Sequence, residues 1–414
     1  MRLPLPTIGA GPSSRVGAFK LPLLAFAIFS ITALFLSPHQ QHRLYALLLP
    51  SPTVPSGWFN DAGYLRLNYS DPWSTTYETR AEAMEGYACD EETVTDGGAV
   101  LCQSKIRLYR AMRDNSAAQL RVSQAALDGK VGAEGDADAA ILEASYAETK
   151  RLRGKRVLYL GDSVDRIPFD ELAAALPTST LMVHEPISGD PLDPKDNRAN
   201  DHTTRFVGVR LVDSPSFSPP TNITLRGTVR PDEFRMDFLF TYGVYDSPAH
   251  DEPPSDFLER VDLLGPLLGE DTHYDLIVLN AGLWDLMKFY RNNEKTDVTH
   301  GVLADWLDAY INRFILVVER LRVTYGSRIP IAIRLTHDTT HTYPEHKAQF
   351  IPLRSEHMRQ AQRELARRLN LRILPFADRM RGQAAPYLRG DGYHPSLTAD
   401  TVLMEMVLRM VAET

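Results

Sequence analysis

The chain of 414 residues is 43% hydrophobic and 24% charged, which excludes a disordered protein and allows one large domain or two smaller ones. Lys and Arg number 45 against 53 Asp and Glu, a net charge of -8 with no clustered basic stripe, so nucleic acid is disfavoured and no nucleic-acid partner is expected. Two cysteines, Cys89 and Cys102, exclude a cysteine-rich zinc module and leave either one disulfide or two thiols.

Arg2, Arg15 and Lys20 precede an uncharged run from Leu21 to Leu36 rich in Leu, Ala, Phe and Ile. A basic flank before such a run reads as a targeting segment. Its length lies between a signal-peptide core and a full membrane span, and no small-x-small site closes it. The expectation is therefore a single-pass type II membrane protein of the Golgi or secretory pathway. Residues 1–20 would be cytosolic, 21–37 the signal anchor and the remainder lumenal, with a cleaved secreted form as the alternative. The sequons at Asn68 and Asn222 suit lumenal glycosylation, and in an oxidising lumen Cys89 and Cys102 would most simply pair.

Prolines at 50, 52 and 55 make residues 38–57 an extended stem. Residues 58–153 read as an N-terminal subdomain, irregular to Lys105 and then helical over Ile106 to Leu127 and Ala137 to Leu152. From residue 154 to 414 short apolar runs alternate with helical periods. Strands are expected at Arg156 to Leu160, Thr180 to His184, Met236 to Tyr242, Tyr274 to Leu279, Ile329 to Leu335 and Leu371 to Pro375. Helices are expected after Ser163 and over Phe257 to Leu268, Val302 to Tyr325 and Ser355 to Leu369. Alternation of this kind predicts an α/β fold, three layers around a mostly parallel sheet, with its site at the carboxyl ends of the strands. The stretch from Ser188 to Pro231, heavy in Asp, Pro, Asn and Thr, reads as an excursion that shapes the site or closes over it.

Three motifs fall just after predicted strands. Gly161-Asp162-Ser163 delivers a serine to a helix start, where first-turn N–H groups lack intrahelical partners and can stabilise an oxyanion; Ser and Asp are equally the preferred helix caps. Asn280 ends a later strand, where its amide could donate into the same crevice or bond its own turn. In Asp391-Gly392-Tyr393-His394 an Asp three residues before a His suits a carboxylate that holds one ring nitrogen while the other faces a serine. Trp284 either stacks on a sugar or fills the core. His337, His341 and His346 lack the spacing and carboxylate partners of a metal site, so no metal is expected. The lone Asp-x-Asp element at Asp136 does not support a glycosyltransferase.

Taken together, Gly161-Asp162-Ser163, Asn280 with Gly282, and Asp391 with His394 resemble the SGNH, or GDSL-type, hydrolase superfamily. Gly161 to Arg166 with Asn280-Ala281-Gly282-Leu283-Trp284 is similar to its PC-esterase branch, which includes trichome-birefringence-like polysaccharide O-acetyltransferases and related fungal membrane proteins. The resemblance implies Ser163 as nucleophile, His394 as base and Asp391 as its orienting partner. It implies oxyanion donors from the Ser163 N–H, Asn280 and a glycine, for which Gly243 fits the order. Arg166, Trp284 and Asp162 are candidate substrate contacts. Arg334 matches an arginine of an Arg-Thr strand, though Leu335 interrupts that pair. The activity implied is serine-dependent O-acyl, chiefly O-acetyl, ester hydrolysis or transfer on a glycan. No cofactor is needed beyond an acyl donor such as an acetylated small molecule. The competing expectation is an inactive glycan-binding or scaffold protein on the same fold.

Overall fold

A computed structural model describes residues 93–96, 99–102, 106–128, 133–185, 188–193, 203–213, 229–245, 256–268, 272–293, 301–340, 349–380 and 388–414. The anchor, the stem, Cys89, Asn68, Asn222, His341 and His346 lie outside these residues. Among the described residues no helix is long and apolar enough to cross a membrane.

The first elements are an antiparallel pair, β1 (Thr93–Asp96) and β2 (Ala99–Cys102). Helices α1 (Arg107–Leu127) and α2 (Ala133–Thr149) follow, and a short 3-10 turn leads into the sheet. The main sheet has the spatial order β10-β9-β8-β3-β7-β6-β4-β5. Its parallel part comprises β3 (Arg156–Gly161), β7 (Glu233–Phe240), β8 (Leu276–Leu279), β9 (Ile331–Arg334) and β10 (Arg372–Leu374). Beyond β7 the sheet turns antiparallel through β6 (Thr204–Arg210), β4 (Thr180–His184) and the two-residue edge β5 (Pro191–Leu192).

This arrangement corrects the reading of Ser188 to Pro231 as an excursion, because β5 and β6 lie inside that stretch and β6 pairs along its whole length with Glu233 to Leu239 of β7. The sequence hid the pairing because charge is buried within it. Arg205 of β6 is almost fully covered and donates to Asp170 at 2.8 Å. In β7, Arg235 pairs with Glu233, while Asp237 takes Arg156 Nε at 2.7 Å and the Tyr274 hydroxyl at 2.8 Å. Charges that find partners inside a sheet read, residue by residue, like a polar loop.

Helices cover both faces. One face packs the odd residues of β3 and the even residues of β7 against α1, α3 (Ser163–Ala175) and α10 (Leu397–Ala412). Helix α10 is buried from Thr398 to Leu408, which suits a helix enclosed by α1, α3 and the sheet, and its two buried carboxylates are partnered, Asp400 by Arg389 and Glu405 by Tyr109 N. Helix α1 belongs to this same core through Ile106, Tyr109 and Met112, so packing runs without a break across residue 153. The other helices are α4 (Phe257–Asp262), α5 (Leu264–Leu268), α6 (Leu283–Asn292), α7 (Ala304–Tyr325), α8 (Pro352–Leu369) and the short α9 (Phe376–Met380). Of these, α7 packs on α8 and α4, and α8 packs on β9 and β10. The result is the three-layer α/β architecture expected from the alternation.

Candidate active site

Strand β3 is buried along its whole length and lies between β7 and β8. The ladder continues one step past each strand end, with Thr241 N donating to the Gly161 carbonyl (2.6 Å) and Asn280 N to the Leu160 carbonyl (2.8 Å). The carboxyl ends of three parallel strands therefore meet where β3 hands over to α3, the crevice in which open α/β sheets bind ligands.

Ser163 is the first residue of α3 and Asp162 is its N-cap. The Asp162 carboxylate accepts from Val164 N (2.9 Å), and the Asp162 carbonyl accepts from Asp165 N and Arg166 N, each at 3.0 Å. The Ser163 N–H is thus the first-turn donor that the cap does not engage. Asp162, expected as a substrate contact, is instead buried, and burial beside Asp165 raises its pKa well above the carboxylate range. It serves the helix end.

His394 reaches this serine from the far end of the sequence. Its Nε2 lies 2.9 Å from Ser163 Oγ and its Nδ1 lies 2.7 Å from Asp391 Oδ2. Asp391 Oδ1 accepts the backbone N–H groups of Tyr393 and His394, each at 3.0 Å, which fixes the carboxylate on its own loop. A carboxylate only accepts, so the ring presents Nδ1–H to Asp391 and a bare Nε2 to the serine hydroxyl. Burial lowers the His394 pKa and Asp391 opposes this, but Arg166 and Arg389 add to the lowering. For Asp391 burial acts upward and is outweighed by the two backbone donors and the His394 ring, so its pKa falls. At neutral pH the pair is carboxylate and neutral imidazole, the protonation state of a general base.

Asn280 is differently engaged than the sequence implied. Its Nδ2 donates to Asp165 Oδ2, so one of its two amide hydrogens is committed to a buried carboxylate. Asp165, wholly buried, also accepts the Tyr159 hydroxyl at 2.7 Å and lies 3.2 Å from Arg334 Nε. Gly161 is required by this arrangement, since a Cβ there would stand 2.8 Å from Asp165 Cγ. Arg334, matched only through the interrupted Arg-Thr pattern, thus lies under the serine helix.

Gly243 follows β7 with φ +80°, and a Cβ on it would meet Asp285 Cγ at 2.6 Å. Two buried residues of α6 hold its loop. Asp285 accepts from Tyr245 N at 2.7 Å, and Lys288 Nζ donates to the carbonyls of Tyr242 (2.6 Å) and Tyr245 (2.9 Å). Neither residue was singled out in the sequence, where they pass for the polar face of an amphipathic helix. Trp284 packs edge-on against Tyr242 and Phe240, with ring centroids 5.0 and 6.4 Å away, on the margin of the core. Arg166 is held near Asp170, with Nη1 3.5 Å from the carboxylate, and keeps 12% of its side chain exposed beside the His394 loop. His337 is buried in a hydrogen-bonded position, and among the described residues no group of three or more His, Cys, Asp or Glu side chains is arranged to hold a metal ion.

No family model and no curated protein match this sequence. Among solved structures, the chain is similar to a protein assigned as a GDSL-like lipase from Parabacteroides merdae ATCC 43184, at 12% identity and a TM-score of 0.30; the match covers 62% of this chain and 97% of that one. It is similar also to Axe2, an acetylxylan esterase from Geobacillus stearothermophilus, at 13% identity and a TM-score of 0.32, covering 63% of this chain and 96% of that one.

Proposed function

We propose that the chain is a serine-dependent O-acyl esterase or O-acyltransferase, acting on acetyl esters of a glycan in the secretory pathway. The observation that carries the chemistry is the unbroken line from Asp391 through His394 to the Ser163 hydroxyl, at 2.7 and 2.9 Å. The apolar run from Leu21 to Leu36 and the family resemblance support the compartment and the glycan.

In the proposed reaction Ser163 Oγ attacks the ester carbonyl carbon as His394 Nε2 takes its proton, and the carbonyl π pair moves onto oxygen. The Ser163 N–H, at the start of α3, and the N–H of Gly243, on the loop clamped by α6, are the donors proposed for that oxyanion, with the second Asn280 hydrogen as a third. Collapse expels the alcohol oxygen, which receives the proton from the imidazolium, and leaves acyl-Ser163. Water or an acceptor hydroxyl then attacks, giving its proton to His394. The second collapse releases the acid or a new ester and returns the proton to Ser163. Nucleophile and base both come from the chain, so the reaction calls for no cofactor.

A fluorophosphonate probe applied to the folded full-length protein should label Ser163, with labelling abolished in Ser163→Ala and strongly reduced in His394→Ala. A folded wild type that does not label would overturn the enzyme reading in favour of a glycan-binding protein. Incubation with an acetylated donor and an oligosaccharide separates the two enzymes: free acetate alone identifies the esterase, and acetylated sugar identifies the transferase.

A further inference from the structure

The serine and its base stand on elements with no covalent reason to keep register. One is the start of α3; the other is a loop 231 residues later. A buried polar chain runs between them from the end of β9. Arg334 Nε lies 3.2 Å from Asp165 Oδ1, in the first turn of the serine helix. Arg334 Nη2 lies 3.2 Å from His337 Nδ1, and His337 Nε2 lies 2.8 Å from the Tyr393 carbonyl, between Asp391 and His394. Asp165, Arg334 and His337 are all at least 99% buried.

We infer that His337 is a positioning residue, a fixed-length tether that sets the His394 loop against the serine helix. The inference rests on the acyl-transfer reading. Chemistry allows one tautomer. A guanidinium only donates and a carbonyl only accepts, so Nδ1 must be bare toward Arg334 and Nε2 must carry the hydrogen toward Tyr393. The imidazole is therefore neutral and held at both nitrogens, with its ring edge-on to Phe376 at 6.0 Å. Burial lowers its pKa to about 3, in keeping with a ring that does not titrate in service. A second strut lies beside it, where Thr340 N donates to the Gly392 carbonyl at 2.7 Å. The segment after β9 thereby holds two successive carbonyls of the loop that carries the base. The same pair of contacts explains why a histidine stands here without metal-ligand spacing: it spans a donor and an acceptor that a shorter side chain would leave apart.

The test uses full-length protein and p-nitrophenyl acetate as a generic acetyl ester. His337→Leu removes both contacts, and misplacement of the base by about 1 Å should lower kcat by about 10- to 100-fold. KM should stay within about twofold, because the tether does not touch substrate. Ser163 labelling by a fluorophosphonate should slow in parallel, and His337→Gln, which keeps one acceptor and one donor, should recover part of the rate. Independently, nitrogen NMR of the wild type at neutral pH should show His337 as the Nε2–H tautomer. A folded His337→Leu that labels at the wild-type rate, or an Nδ1–H tautomer in the wild type, overturns the inference. If His337→Leu does not fold, the tautomer decides. A wild type that shows the expected tautomer yet does not label sinks the acyl-transfer reading itself, so the two failures are told apart.

Discussion

Asp165→Asn changes one atom in the most enclosed part of the site, and the structure sets its cost. The carboxylate is wholly buried and meets donors at both oxygens, the Tyr159 hydroxyl on Oδ1 and Asp162 N and Asn280 Nδ2 on Oδ2, and it forms an ion pair with the Arg334 guanidinium, whose Nε lies 3.2 Å from Oδ1. An amide keeps the shape but supplies one acceptor and one donor group. Whichever way it turns, an NH2 faces donors that had an acceptor. Arg334, with 1% of its side chain exposed, loses the anion 3.2 Å away and keeps its charge. Breaking one side of a buried pair costs about 3–5 kcal/mol, a large share of the 5–15 kcal/mol by which a folded protein is ordinarily stable. Equilibrium urea unfolding followed by tryptophan fluorescence should show the midpoint falling by about 1 M or more, with Ser163 labelling slowed in whatever fraction remains folded. A loss below about 1 kcal/mol would mean that Arg334 finds another partner as good, and the network would not be what holds the serine helix.

The acid limb of kcat/KM should lie below the ordinary imidazole value of 6.5, because the His394 pKa is lowered and the neutral base survives until pH falls through that lowered value. Arg166→Gln removes one of the cations that lower it, so the limb should move up in pH; a limb that stays put would separate Arg166 from the base. Gly243→Ala combines φ +80° with a collision at Asp285, and displacing a proposed oxyanion donor should reduce kcat by about 10²–10³-fold at little cost in KM, measured with the same acetyl ester. Wild-type kcat in that variant would remove Gly243 from the oxyanion site.

Much of this architecture is legible in the sequence. The run Arg156 to Leu160, apolar and closed by Gly-Asp-Ser, can scarcely be read except as a buried strand entering a capped helix, and Asp391 with His394 carries its chemistry in its spacing. What escapes is partnership across the sheet. Glu233 and Arg235 look polar one at a time and fall outside the strand expected from Met236, and the partners that let Asp237 lie buried within it, Arg156 and Tyr274, come from other strands and loops. Asp165 closes the capping box with Asp162, and its meeting with Arg334 depends on β9, more than 160 residues away. His337 could be weighed only against neighbouring histidines in sequence, whereas its contacts are Arg334 and a carbonyl of a distant loop. Asn280 shows the same limit from the other side: its place at a strand end is readable, and the carboxylate its amide faces is not.

The separation of 231 residues between Ser163 and His394 has a kinetic meaning. Between them the chain must complete four of the five parallel strands after β3 has formed, and α10, enclosed by α1, α3 and the sheet, comes after both. Such non-local closure belongs to the slow end of folding, since distant segments have to meet before any contact between them contributes. A ribosome that has released the serine strand has not yet made the loop that carries His394, so the proposed catalytic pair stays incomplete until that loop emerges. In practice, titrating Ser163 with a covalent probe during refolding would count finished molecules and ignore collapsed ones, giving a clock for the final step that fluorescence alone cannot supply.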